Sequence, residues 1–300
     1  MDEEDYARLL FDDASIGTLI VDDGLTGAGL TDLREFSEVT GRKLFRCKRL
    51  ENFIESLILD SDTFEQMDRE FPLRFFDGPR QSLAFKTIAG YRGGLEIDLV
   101  TRGQAEADFE RARELLQNSP QPRIRKRPIY HYFLLQAFHI AGDLRHPIQI
   151  HCGIGDQDED IRLTNPACMR RVLQSPLWAD TNFVFLHCYP YIREAAYLCS
   201  IYPNVYMDIS LATFLAAPAM PGCFVEALSA APFTKILVST DGHDHPETHW
   251  YSATIIRKAL GEALNQLIDD GYMDVETAEE VVARVLHQNA SELYSLPPIV

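Results

Sequence analysis

Nothing in this 300-residue sequence approaches the run of about 20 apolar residues that a bilayer-crossing helix needs, so no membrane span is expected. The opening residues, MDEEDYARLL, lack the basic segment and following apolar segment of a secretory leader. They read instead as an acidic helix, and no leader is expected. Cationic residues are scarce: 28 Lys and Arg stand against 45 Asp and Glu, a formal net charge of −17. Nucleic acid and anionic membranes are bound through basic faces. The main basic cluster, Arg123, Arg125, Lys126 and Arg127, is short, has no interleaved aromatics and reads as a solvated loop. Neither partner is expected. The six cysteines (Cys47, Cys152, Cys168, Cys188, Cys199 and Cys223) include no CxxC pair and read as reduced, buried thiols of a cytoplasmic protein.

What is present is the composition of a soluble globule, 46% hydrophobic and 24% charged. Seven short runs, apolar on both faces and rich in β-branched or aromatic residues, read as strands of a buried parallel sheet. They are Gly17–Asp22, Lys43–Cys47, Leu83–Ala89, Pro147–Cys152, Phe183–Cys188, Val205–Ile209 and Ile236–Asp241. Amphipathic stretches lie between them, the clearest at Thr31–Thr40, Ala105–Gln117, Ile129–Asp143, Asn165–Gln174, Tyr191–Tyr202, Pro221–Ala230, Thr248–Asp269 and Val275–His287. Strand–helix alternation predicts βα units, and residues 51–76 read as a helical insertion after the second strand. Residues 1–300 are expected to form one α/β domain, a TIM-barrel-like (β/α)8 fold one strand short at its front. A doubly wound open sheet is the alternative, but no GxGxxG or GxxxxGK[ST] follows any strand.

Three predicted strand ends carry a metal-ligand residue type: His151 in IQIHCG, His187 in FVFLHC and Asp241 in ILVSTDG. Catalytic side chains of such barrels gather at the carboxyl ends of the strands. Imidazole and carboxylate suit zinc and similar divalent ions, and an open coordination position would acidify a bound water. Asp241 is also placed to accept that water's proton. A lone strand-end histidine is more often a hydrogen-bonded structural residue. Three such residues at equivalent strand ends are read as a shared site, with separate structural roles as the alternative. Lys86 lies among apolar neighbours, where a cation is costly unless paired. It is read as binding a substrate carboxylate, as a carboxylated bridge between metals, or as a lysine that snorkels to the mouth. Tyr91 and Arg92 follow at the same mouth, where Arg92 would hold a carboxylate or a loop salt bridge. Arg162, in an acidic loop with Asp156, Asp158, Glu159 and Asp160, is a further candidate substrate contact, although such a loop is usually solvated. His243 and Glu247, in GHDHPETHW, would line the pocket or cap the next helix. Asp208 reads as structural.

The blocks PIQIHCGIGDQDEDIRLTNP, FVFLHCYPYIREAAYLCSIYPNVYMDIS and KILVSTDGHDHPETHW, with FKTIAGYRGGLEI at Phe85–Ile97, resemble the amidohydrolase superfamily. More narrowly they are similar to its amidohydrolase-related group, in particular the domain that nodulin/FluG-type proteins carry fused to a glutamine-synthetase-like domain. The resemblance runs over nearly the whole chain. It implies a distorted TIM barrel with one or two divalent metals, most simply zinc. It places His151, His187 and Asp241 as ligands on the fifth, sixth and eighth strands, and Lys86 and Arg92 at the fourth. The family's first strand supplies an HxH ligand pair. No HxH precedes Lys86, so the chain is expected to start just ahead of strand two, with edges on strands two and eight unpaired and the metal held more weakly. The expected activity is hydrolysis of an amide or ester bond in a small, carboxylated substrate. A metal-dependent decarboxylase and a non-catalytic barrel remnant are the alternatives, and a homo-oligomer is left open.

Overall fold

The structure, a computed structural model, describes residues 2–22, 24, 32–75, 82–119, 123–157, 159–243 and 245–297. Seven strands form one sheet: β1 (Thr18–Asp22), β2 (Lys43–Arg49), β3 (Ala84–Thr87), β4 (Ile148–His151), β5 (Phe183–Leu186), β6 (Val205–Asp208) and β7 (Ile236–Leu237). Each pairs in parallel with the next in chain order. No pairing joins β7 back to β1 among the described residues, so the sheet curls as an incomplete barrel.

The helices that return the chain are α1 (Glu3–Asp13), α2 (Leu33–Thr40), α3 (Leu50–Asp60), α4 (Phe64–Phe75), α5 (Arg102–Gln117), α6 (Pro128–Leu144), α7 (Arg170–Leu173), α8 (Ile192–Ile201), α9 (Ala212–Leu215), α10 (Met220–Ala230), α11 (Pro246–Asp269), α12 (Val275–Ala283) and α13 (Asn289–Leu293). The expected insertion at 51–76 is α3 and α4, with Phe76 outside the described residues. Thr31, the expected start of the second helix, is outside them as well.

Strand alternation sorts the side chains into two layers. Phe183 and Phe185 of β5 join the large core against the helices, whereas Val184 and Leu186 face the barrel interior with Leu237. The predicted ends shift by two or more residues at four strands, β5 among them, which stops at Leu186 rather than Cys188. β2 runs two residues further than expected, to Arg49. β3 stops at Thr87 and gives way to a 3-10 turn, Ala89–Arg92. β7 is two residues long, so Asp241 stands four residues past it.

The floor of the barrel is closed by the carboxyl-terminal segment. Arg145, Asn182 and Thr234, which precede β4, β5 and β7, line a depression together with Asn289, Glu292, Leu293 and Ser295. Tyr294 is buried against Cys47 and Ala84, with Ile20 and Leu296 around it. Its hydroxyl accepts a 2.9 Å hydrogen bond from Gln149 Nε2, and the Cys47 thiol lies 3.5 Å from Gln149 Oε1. A polar thread thus crosses the small apolar cluster around Tyr294.

His131 of α6 is buried, and its Nδ1 accepts from the Asp98 backbone N–H at 3.0 Å, which requires the neutral ring. Burial depresses its pKa to about 4, although the Asp98 carboxylate 3.6 Å away acts in the opposite sense. The unfolded ring titrates near its ordinary value of 6.5. The stabilisation is therefore complete above that pH and is lost as pH falls toward the folded value, up to about 3 kcal/mol. Urea midpoints should fall between pH 6.5 and 4.5, and His131→Gln should fall less steeply. Parallel slopes would remove His131 as the cause.

Candidate metal centre

The carboxyl ends of β4 and β5 bring His151 and His187 face to edge, with ring centroids 4.7 Å apart. Both are almost fully buried. Asp241 Oδ2 lies 4.0 Å from His187 Nδ1, and the aspartate is about one-third exposed. His187 and Asp241 have φ of 69° and 48°, and Cys188, next to His187, has 58°. Non-glycine residues in the left-handed region cost about 1–3 kcal/mol each and concentrate at functional sites.

Each histidine is tied down by one ring nitrogen. Ser210 Oγ donates a short hydrogen bond to Asp208 Oδ1 and lies 2.7 Å from His187 Nδ1. With that hydroxyl proton committed, Nδ1–H is the donor and Nε2 keeps its lone pair. Asp208 Oδ1 also accepts the His187 backbone N–H at 3.2 Å. Burial raises the Asp208 pKa to about 6, Ser210 and the His187 amide acting the other way. Burial, then His151 and Lys86, holds the His187 pKa well below its usual value, so this ring is neutral. His151 Nε2 lies 3.2 Å from Glu159 Oε2 and reads as its donor, which leaves Nδ1 as the lone-pair nitrogen. Neither His151 Nδ1 nor His187 Nε2 has a hydrogen-bond partner among the described residues. Carboxylate or hydroxyl groups that fix the far side of an imidazole are the ordinary support of a metal-binding histidine.

Glu159 and Asp208 are the functional candidates that the sequence reading passed over. Glu159 sits in a loop that reads as solvated, yet its side chain is 3% exposed and its Oε1 is buried with no hydrogen-bond partner among the described residues. Its one sequence signal is its place eight residues after a strand-end histidine. The adjoining Gly155 is required by space. A Cβ there would sit 2.1 Å from both Glu159 Oε2 and the Tyr91 hydroxyl, and 2.8 Å from His151 Nε2. Asp158 lies outside the described residues.

Tyr91 stacks on His151 at 4.4 Å between centroids, and its hydroxyl accepts from the Asp156 N–H at 3.2 Å. Burial raises its pKa, and Glu159, Asp156 and Asp241 add to that, so the phenol keeps its proton. Lys86 reaches inward to Asp22 at the end of β1, with Nζ 3.2 Å from Oδ2, and Arg49 at the end of β2 joins the same carboxylate. The other sequence candidates go elsewhere. Arg92 is buried toward α3, 3.8 Å from Glu55. Arg162 is exposed and bonds to Asp160. Glu247 is exposed in the first turn of α11, on the side of Tyr6. His243 is exposed and stacks at 6.4 Å on Phe214.

No three His, Cys, Asp or Glu side chains among the described residues already stand at the spacing that encloses one ion. His151, His187 and Asp241 are neighbours without forming a closed cage. The donor chemistry nevertheless fits a divalent cation: two buried imidazoles, each with one nitrogen pinned and the other unpartnered, beside an accessible carboxylate.

A curled parallel barrel with imidazoles and a carboxylate at its carboxyl rim is the fold that metal-dependent hydrolases of this type share. The amidohydrolase family profile matches residues 98–296, and the chain belongs to that family. It is 31% identical over 227 residues to the fluG protein of Emericella nidulans, which covers 71% of this chain and 26% of that one. The chain therefore spans about a quarter of that relative's length. The crystal structure of a Lactobacillus casei protein, whose assignment as a metal-dependent hydrolase is itself provisional, superposes with TM-score 0.91 at 30% identity. That match covers 98% of this chain and 78% of the other. Uronate isomerase from Thermotoga maritima shares the fold, with TM-score 0.71 at 14% identity over 96% of this chain and 69% of the other.

Proposed function

We propose that the chain is a metal-dependent hydrolase that cleaves an amide or ester bond of a small, carboxylated substrate. The observation that carries this reading is the paired anchoring of His151 by Glu159 and of His187 by Ser210 and Asp208, which leaves an unpartnered nitrogen on each ring. His151, His187 and Asp241 would hold the ion, zinc by donor type. When bound, such an ion acidifies water and polarises a carbonyl. Asp241, the most exposed of the three, accepts the proton of the attacking water at a carboxylate oxygen and returns it to the leaving group. Tyr91, its oxygen held by the Asp156 N–H and its proton retained, donates a hydrogen bond to the substrate. Lys86 attracts the substrate carboxylate. Burial of both imidazoles excludes bulk water from their side of the site.

All six cysteines are free, five of them buried, and this supports a reducing, cytoplasmic setting. The acidic net charge supports a small-molecule partner rather than nucleic acid. Zinc-loaded protein should keep about one equivalent through dialysis, and Glu159→Gln should weaken it by about 10–100-fold in a chelator titration. Failure to retain zinc, manganese or iron would overturn the metal reading. A panel of N-acyl amino acids and carboxylated esters tests the bond class by acid release. Carbon dioxide release without water consumption would indicate decarboxylation. Metal retention with no turnover would indicate a binding barrel.

A further inference from the structure

Asp22, Arg49 and Lys86 meet at the carboxyl rim of β1, β2 and β3. Arg49 Nη2 is 2.5 Å from Asp22 Oδ2, and its Nε lies 3.1 and 3.2 Å from the two carboxylate oxygens. Lys86 Nζ is 3.2 Å from the same Oδ2. The Gly24 N–H donates to Oδ1 at 3.0 Å. The three side chains are only 11–13% exposed. Among the described residues two cations thus share one carboxylate, leaving one excess positive charge with little access to water. Arg49 Nη1 and the remaining ammonium protons of Lys86 have no acceptor among the described residues. A shielded charge without a full partner is costly, and an entering anion would relieve it.

The cluster also faces the histidines. Lys86 pairs in register with Arg49 on one side and Gln149 on the other. His151, two residues beyond Gln149, is the next position on the same face of β4.

We propose that Arg49 and Lys86 form an anion clamp for the carboxylate of the substrate, with Asp22 as the internal anion that holds both cations in place and competes for them. Arg49 offers a planar fork suited to a carboxylate, and Lys86 adds a point charge beside it. The clamp deepens the proposed hydrolase reading by assigning one end of the substrate, and it rests on that reading only for the bond that is cleaved. The substrate class is a small organic acid whose reactive bond lies within a few atoms of the carboxylate.

The clamp is tested on metal-stripped protein, so that no bound ion can take the anion. Succinate and its neutral analogue succinamide serve as calorimetric probes. Succinate should bind and succinamide should not. Arg49→Gln should weaken succinate at least tenfold, and Asp22→Asn should tighten it several-fold by removing the competing charge. If Arg49→Gln fails to fold, Arg49→Lys keeps the charge and loses the fork, and a several-fold weakening is expected there. Lack of succinate binding by the stripped wild type, equal binding of succinamide, or succinate affinity unchanged in Arg49→Gln or Arg49→Lys would overturn the clamp. Tighter binding in Asp22→Asn supports competition, and weaker binding overturns it. All of these outcomes leave the metal retention of the loaded protein untouched, so the two readings fail separately.

Discussion

Metal retention and turnover should fall together in His187→Ala, by at least about 100-fold in affinity, beyond the 10–100-fold typical of losing a supporting group. The side chain is the hub of its surroundings. Its Nδ1 meets Ser210, its backbone amide meets Asp208, its ring abuts His151, and Asp241 stands 4.0 Å away. Removing it takes away one proposed ligand and the spacer between the other two. Ser210→Ala should cost less, because it frees the tautomer of His187 without deleting the ring. Asp208→Asn should fall near Ser210→Ala. Competitive chelator titrations on the three variants, with far-ultraviolet dichroism to verify folding, give the ranking. Full metal retention in folded His187→Ala would remove His187 from the centre.

The second large effect lies at the opposite end of the barrel. Tyr294→Ala should destabilise the protein by about 3–5 kcal/mol, the usual cost of deleting a buried aromatic ring. The ring fills the space between Cys47, Ala84 and Ile20. Tyr294→Phe keeps the ring and leaves the Gln149 amide without its 2.9 Å partner, so a loss of about 1–3 kcal/mol is expected. Urea unfolding of both variants separates packing from hydrogen bonding. A loss below about 1 kcal/mol for Tyr294→Ala would mean that the floor is held by its neighbours.

The sheet was legible because each strand is a short, doubly apolar run ending at a turn. His151 and His187 follow such runs directly, and that placed them before any coordinates. The limits of the same signal show at β7, where ILVSTD reads as one strand although pairing stops at Leu237. Asp241 reaches the site through a left-handed residue that apolar periodicity does not encode. Glu159 was hidden because an acidic loop is normally solvated, whereas here its carboxylate is buried beside His151, close to Gly155 and the Tyr91 hydroxyl. Arg49 carries no such signal because KLFRC reads as ending at Cys47, and two more paired residues carry the guanidinium to the rim. Arg92 shows the converse: a mouth position in sequence turns through a 3-10 corner to Glu55. Tyr294 had no local signature, because its partners lie more than 140 residues away in the chain.

The seating of α13 and Tyr294 under the strands also sets where an appended sequence would go. The described chain ends at Pro297, just after Tyr294 and Leu296 have packed beneath the strands on the side away from the rim. A group added at that end therefore begins on the face of the barrel opposite His151 and His187.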